Sequence, residues 1–192
     1  MHFTLCDYMM EIVQNAVESR ADTIRIRCDQ TSETCLFCVE DNGCGMTRAQ
    51  LEACQNPFAS DSRKHPGRTM GLGIPLLAHC ATTAGGAWRA ESKPGHGTRI
   101  EATFARHHLD TPPLGDLADL WVNAMALAGD YELIIARTRL DSTEAAPQGY
   151  TLSRREIREV LGDLNTVASL TALRAFISRR EAELQPGWQS PD

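Results

Sequence analysis

The sequence predicts an α+β sandwich, in which a mostly antiparallel sheet is covered by helices on one face. Residues 22–28 and 34–40 alternate apolar and polar positions across a short polar turn, which is typical of a β-hairpin. A second pair of strand patterns follows at 87–92 and 98–106. Helical patterns stand before and between these hairpins, so the strands do not form the βαβ units of a parallel sheet.

The first helix is predicted over residues 7–21, where apolar residues recur at helical spacing and Asp7 is the expected N-cap. Glu11, Asn15 and Glu18 share its polar face because they stand at i, i+4 and i+7. A carboxylate and a carboxamide one turn apart could hold a metal ion and a water together. A solvent-exposed helix shows the same pattern, so this helix alone does not decide between the two interpretations.

Loops rich in glycine and proline separate the regular elements. Residues 41–46, Asp-Asn-Gly-Cys-Gly-Met, carry too many turn residues for a helix or strand, and a short helix capped by Thr47 follows them. Residues 55–70 lack periodicity, and a segment of this length is either functional or disordered. Residues 71–73, Gly-Leu-Gly, then open an apolar helix that reaches residue 83. Backbone amides at a helix N-terminus bind phosphate oxygens, and glycines let such groups approach.

Composition limits the classes of function. With 192 residues, 42% of them hydrophobic, the chain is long enough for one domain with an extension or for two small ones. A net charge of -6 argues against nucleic-acid binding by bulk electrostatics. The apolar runs are too short for a membrane span and the N-terminus lacks a signal-peptide pattern, so we expect a cytoplasmic protein. The seven cysteines are expected to be reduced, and Cys35 and Cys38 should point to opposite faces of a strand rather than to one metal.

The second half of the chain has a different pattern of predicted elements. A helix, a strand near 131–136, a short strand near 150–152 and two further helices are predicted there, with Ser153 and Glu156 forming a capping box. We expect four parts: a first domain at 1–108, a Pro-rich linker at 109–115, a small C-terminal α/β extension at 116–185 and a flexible tail at 186–192.

Four motifs, in this order, resemble the GHKL superfamily of ATP-binding domains, which have the Bergerat fold and include gyrase B, MutL, Hsp-type chaperones and sensor histidine kinases. Residues 11–16 resemble its N box and residues 41–45 its G1 box. Residues 71–73 resemble its G2 box, and Gly95-His-Gly-Thr98 resembles its final Gly-x-Gly-Thr. The resemblance covers residues 5 to about 106 and implies that the first domain, 1–108, is an ATP-binding α+β sandwich.

The resemblance also implies a role for individual residues, with ATP or ADP and Mg²⁺ as ligands. Glu11 would be the general base, and Asn15 would bind both ATP and Mg²⁺. Asp41 and Thr98 would contact the adenine amino group, Thr98 through water. The remaining residues of the implied ATP site are Gly43, Gly45 and Met46 around the adenine, and Gly71, Leu72 and Gly73 at the phosphates.

The resemblance leaves three functions open: a slow ATPase whose lid state regulates a protein partner, a protein kinase of the anti-sigma or histidine-kinase type, and an ATP sensor without turnover. Glu11 suits the hydrolysing branch and the anti-sigma serine kinases, whereas residues 56–58, Asn-Pro-Phe, resemble the F box of histidine kinases. Arg63, Lys64 and Arg68 are candidates for a γ-phosphate contact. The whole chain also resembles small stand-alone bacterial ATP-binding proteins encoded near iron-only hydrogenases, which implies a hydrogenase or redox-complex component as partner. A homodimer is left open.

Overall fold

A computed structural model describes residues 3–55, 73–140 and 148–184 of the chain. Within these ranges the chain forms six helices and six strands. In chain order they are α1 (Leu5–Glu18), β1 (Thr23–Thr31), β2 (Thr34–Asp41), α2 (Arg48–Gln55), α3 (Gly73–Thr83), β3 (Ala87–Lys93), β4 (Gly97–Ala105), α4 (Leu117–Ala126), β5 (Glu132–Leu140), β6 (Gln148–Ser153), α5 (Arg154–Leu161) and α6 (Val167–Leu184).

The six strands form one sheet in the order β3-β4-β2-β1-β5-β6. Four of its five pairings are antiparallel, and the pairing of β1 with β5 is parallel. Helices α1 and α3 contact β2, β3 and β4, and alternate residues of the central strands are buried. The predicted mostly antiparallel α+β sandwich is confirmed, and its two hairpins are β1–β2 and β3–β4.

Helix α1 packs at the centre of the hydrophobic core, where Met9 and Ile12 are at most 1% exposed. It begins earlier than predicted, because its N-cap is Thr4 and the prediction of Asp7 was wrong. Asp7 is instead the third helical residue, and its carboxylate accepts hydrogen bonds from the Thr4 amide and hydroxyl at 2.7 and 2.8 Å. This reciprocal capping box starts the helix one turn upstream, which lets Leu5 join the core.

The C-terminal extension adds β5 and β6 to the same sheet. Trp121, Leu133 and Leu173 belong to the core cluster that also contains the buried residues of α1. The predicted linker lies against the start of α1, since the carbonyls of Pro113 and Leu114 accept the first two helical amides at 2.9 and 3.0 Å. The domain division at residues 109–115 stays a prediction; the sheet and the core both run across it.

A buried polar cluster joins α6 to the sheet. Arg137 of β5 and Glu181 of α6 are 1% and 8% exposed, and their Nε and Oε1 atoms lie 3.3 Å apart. Arg137 also donates to the Cys28 carbonyl at 3.4 Å and to the Gln30 side chain, both in β1. The Tyr150 hydroxyl of β6 donates to Glu181. Three strands and one helix are therefore connected through a single buried ion pair.

Within residues 3–55, 73–140 and 148–184, no group of three or more His, Cys, Asp or Glu side chains is arranged to hold a metal ion. All seven cysteines are free thiols. Cys35 and Cys38 both lie in strand β2, as predicted, and both are buried. Among the helices that the structure describes, none combines the length and the hydropathy needed to cross a bilayer.

Candidate functional site

The polar face of α1 meets the first residue of α3. Glu11 is exposed and Asn15 is half-buried, one turn further along. A Cβ atom at Gly73 would lie 2.9 Å from Glu11 Cβ and 3.5 Å from Asn15 Nδ2, so a larger residue would crowd Glu11 and would be in van der Waals contact with Asn15. The glycine thus lets a helix N-terminus, where backbone amides lack intrahelical partners, lie beside a carboxylate and a carboxamide. Glu11 and Asn15 from one predicted motif and Gly73 from another are therefore brought together here.

Asp41 is held as a buried acceptor at the end of β2. It is 8% exposed, and its Oδ1 accepts hydrogen bonds from the Gly43 amide at 2.8 Å and from the Ser19 hydroxyl at 2.9 Å. Burial raises the pKa of the Asp41 carboxyl above its usual value, and the Gly43 and Ser19 hydrogen bonds act in the opposite direction. A Cβ atom at Gly43 would lie 2.0 Å from Ser19 Oγ, so glycine is required for this arrangement.

Thr98 is the second residue of β4 and lies directly opposite Asp41. The two residues are paired in the β2–β4 ladder, and Thr98 is paired with Ser92 in the β3–β4 ladder. Ser92 Oγ lies 2.9 Å from Thr98 Oγ1 and accepts the Met46 amide at 2.7 Å. The Asp41 carboxylate and the Thr98 hydroxyl, predicted to contact the same ligand group, therefore lie side by side on neighbouring strands, at the end where β2 stops and β4 starts.

Two glycines press the loop after β2 against the turn between β3 and β4. Gly45 has a φ of +62°, and a Cβ atom there would lie 2.0 Å from the Lys93 carbonyl oxygen. Gly97 has a φ of +88°, and its Cβ atom would lie 1.8 Å from the Asp41 carbonyl oxygen. The Gly95 amide donates to the Cys44 carbonyl at 2.8 Å. Side chains at these positions would separate the two loops that carry Asp41 and Thr98.

Part of the predicted site lies outside the described residues. Two predicted phosphate-binding positions, Gly71 and Leu72, lie there. So does the aperiodic segment 56–70, which holds the F-box-like residues 56–58 and the candidate γ-phosphate contacts Arg63, Lys64 and Arg68.

Sequence reasoning missed the two serines that hold Asp41 and Thr98. Ser19 follows Asn15 by four residues, so the helical period that grouped Glu11 with Asn15 places Ser19 one turn further along the same face. Ser92 faces Thr98 because five residues connect them across a tight hairpin, and its role depends on the pairing register of β3 with β4. The first could have been found from periodicity, and the second from the hairpin register.

The described site combines two acceptor side chains at the ends of β2 and β4 with a helix N-terminus, where backbone amides can bind an anion. The chain belongs to the family of histidine kinase-, DNA gyrase B- and HSP90-like ATPases, whose model matches residues 4–108. The match covers more than half of the chain, and ATP is the nucleotide that this family implies.

Curated relatives include sensor and kinase proteins of bacteria. The chain is 30% identical over 91 residues to a putative sensor protein of Shewanella frigidimarina, which covers 47% of this chain and 14% of that protein. It is 30% identical over 111 residues to the CAI-1 autoinducer sensor kinase/phosphatase CqsS of Vibrio cholerae, covering 56% and 16%. It is 31% identical over 94 residues to the sensor protein DegM of a Bacillus species, covering 48% and 24%. The chain thus spans about a quarter of these relatives or less.

Among solved structures, the chain is similar to the N-terminal domain of a DNA repair protein, with a TM-score of 0.50 and 12% sequence identity. The alignment covers 87% of this chain and 58% of that one. At this identity the likeness shows a shared fold.

Proposed function

We propose that this protein binds ATP with Mg²⁺ in the site described above and hydrolyses ATP slowly. The observation that carries the proposal is the meeting of Glu11 and Asn15 with Gly73 at the start of α3. Asp41 and Thr98 would contact the adenine amino group, Thr98 through water. Gly43, Gly45 and Met46 would border the base.

The donor set at Asn15 fits Mg²⁺. This ion prefers oxygen ligands and usually takes one or two from the protein, with the rest from water and phosphates. Asn15 offers a single carboxamide oxygen, and its Nδ2 lies within 3.5 Å of the position a Gly73 Cβ would occupy, beside the N-terminus of α3. When bound, the ion would neutralise charge on the phosphates. The amides at residues 71–73 would bind phosphate oxygens.

Glu11 would act as the general base. Its carboxylate would take a proton from a water molecule as the water oxygen bonds to the γ-phosphorus. The bond to the β–γ bridging oxygen would break, which leaves ADP and inorganic phosphate. Phosphoryl transfer needs positioning and charge stabilisation more than covalent chemistry from the protein, so the few groups at this site are sufficient.

A pair of isosteric variants tests the role of Glu11. Glu11→Gln should slow phosphate release by about 10²- to 10⁴-fold, the usual contribution of a general base, while nucleotide affinity is retained. Glu18→Gln, on the same helix and also exposed, is the matched control and should release phosphate at the wild-type rate. Equal rates for the two variants would contradict the assignment. If the wild type binds ATP without any turnover, the protein is a sensor.

A kinase is the second candidate, because the matched relatives are described as sensor proteins or as a sensor kinase/phosphatase. A kinase would transfer the γ-phosphate to a hydroxyl or imidazole of another protein instead of to water. With γ-labelled ATP, label on a protein acceptor supports the kinase, and label in inorganic phosphate alone supports the ATPase.

The regulated partner and the location are further parts of the proposal. We infer a cytoplasmic protein whose nucleotide state controls contact with another protein. A hydrogenase or redox-complex component is the candidate from the second resemblance described above. Purification of the tagged protein from cells in ATP and in ADP should recover the partner in one state, and mass spectrometry would identify it. Light scattering in both nucleotides decides whether a homodimer forms.

A further inference from the structure

A cavity of about 630 Å³ lies between α5 and the first residues of β1 and β5. This volume is within the range of about 300–1,000 Å³ that is usual for small-ligand sites. The parallel register pairs Thr23 with Glu132, so the two strands start side by side. The residues shortly before these starts, Asp22 and Asp130, line one wall of the cavity. The proposed reaction leaves this cavity unused.

The opposite wall is one face of α5. Arg155, Arg158 and Glu159 line the cavity from this helix, and their spacing of i, i+3 and i+4 places them on the same face. The helix is fixed at its first residue, because the buried guanidinium of Arg154 donates to four backbone carbonyls between residues 125 and 131. The two walls are therefore held at a set separation by the fold.

The charges that line the cavity are only partly paired with one another. Arg155 and Glu132 form an ion pair, with Nε and Oε2 3.6 Å apart. Four further charged side chains of the lining have no ion-pair partner within the part of the chain that the structure describes: Asp22, Asp130, Glu159 and Arg158. Three carboxylates and one guanidinium are thus available to a ligand. Carboxylates at neighbouring strand starts repel each other, so a cationic group between them would be stabilising.

We propose that this cavity binds a basic amino acid or a short basic peptide through its ammonium and carboxylate groups. An ammonium group would lie between Asp22 and Asp130. A free carboxylate would bind Arg158, because a guanidinium offers two parallel donors to a carboxylate. The excess of carboxylates in the lining favours a ligand with more than one cationic group over a neutral zwitterion. The inference is independent of the proposed function.

The test uses lysine and two analogues that each lack one of its charged groups. Norleucine lacks the side-chain ammonium, and cadaverine lacks the carboxylate. In calorimetry at low ionic strength, lysine should bind more tightly than either analogue by about fivefold, the upper value for one exposed ion pair. Lysyl-lysine distinguishes the two sources of the ligand: tighter binding than lysine indicates a peptide, and weaker binding indicates a single amino acid.

Substitutions assign each ligand group to its partner. Arg158→Gln should remove the preference for lysine over cadaverine and keep the preference over norleucine. The double variant Asp22→Asn with Asp130→Asn should do the reverse. All three side chains are exposed, so the variants should stay folded. Glu156→Gln is the matched control, because Glu156 is exposed on the same helix but does not line the cavity, and both preferences should be unchanged.

Three results would overturn the inference. The first is the absence of binding of both lysine and lysyl-lysine at millimolar concentration. The second is equal affinity for lysine, norleucine and cadaverine. The third is a pair of preferences that survive both Arg158→Gln and the double variant. None of these measurements involves ATP, so a failure here leaves the proposed function standing, and a protein without ATP turnover leaves this inference standing.

Discussion

Removing one member of the Arg137–Glu181 pair should destabilise the whole chain and not the C-terminal extension alone. Arg137 is in β5 and contacts β1 through the Cys28 carbonyl, and Glu181 is in α6. Because β1 is central to the sheet, a charge left unpaired at this point weakens both halves of the molecule. The perturbations are Arg137→Leu, Glu181→Leu and the double variant.

The expected magnitudes follow from the partners that remain. Arg137→Leu leaves a buried carboxylate with the Tyr150 hydroxyl as its donor among the described contacts, and breaking a buried pair in this way costs about 3–5 kcal/mol. Glu181→Leu should cost less, about 1–3 kcal/mol, because Arg137 keeps the carbonyls of Thr138 and Cys28 at 2.9 and 3.4 Å. The double variant should be more stable than the sum of the single variants predicts, by roughly 1–3 kcal/mol.

Urea unfolding followed by far-UV circular dichroism and by tryptophan fluorescence measures these differences. In thermal unfolding of a chain of this size, each kcal/mol lost from the free energy of unfolding should lower Tm by roughly 2–4 °C. Arg137→Leu should therefore melt about 6–20 °C below the wild type. Arg179→Leu on the same helix is the control, because its pair with Glu183 is exposed and should contribute less than about 1 kcal/mol. Strict additivity in the double variant would refute the coupling. A separate early transition, seen in only part of the dichroism or fluorescence change, would refute unfolding of the chain as one cooperative unit.

Three further predictions concern single positions. In calorimetry, Gly97→Ala should abolish tight nucleotide binding, because its Cβ would lie 1.8 Å from the Asp41 carbonyl oxygen. The control Gly95→Ala, at φ +74° and with no atom within 4 Å, should keep binding and cost about 1–2 kcal/mol of stability. Thr4→Ala should lower the free energy of unfolding by about 1 kcal/mol through loss of the N-cap, and intact stability in urea would contradict the capping box. Because burial raises the folded pKa of Asp41, the stability of the wild type relative to Asp41→Asn should be greatest below the unfolded pKa of about 3.9 and should fall as pH rises through the folded pKa. A stability difference that stays constant across pH in urea titrations would contradict this.

Local periodicity made the first half of the site predictable. Glu11 and Asn15 lie together because a helix brings i and i+4 to one face, and this holds wherever the helix packs. The glycines of the loops were recognisable because their spacing matched four motifs in order. The N-cap was misplaced by three residues because Asp is acceptable both at the N-cap and, as found here for Asp7, at the third position of a capping box.

Long-range pairing could not be predicted in the same way. Arg137 stands in an alternating strand where a charged residue normally indicates the solvent face, but Glu181 in α6 allows it to be buried. Arg154 follows the predicted cap Ser153 and would be taken for a surface residue. Its guanidinium is buried and donates to two carbonyls at 3.0 Å each, that of Met125 in the last turn of α4 and that of Leu127, the C-cap of the same helix. Both arginines depend on partners more than twenty residues away.

The parallel pairing of β1 with β5 has a consequence for synthesis of the chain on the ribosome. Cys28 and its register partner Arg137 are separated by 109 residues. At about 5–20 residues per second, one edge of β1 waits roughly 5–20 s for its partner after β1 itself has been made. During that interval β2 can pair with the other edge, while the waiting edge offers unpaired backbone groups to any neighbouring nascent chain. We therefore expect yield of folded protein to depend on translation speed between residues 31 and 140 and on chaperones that cover this edge.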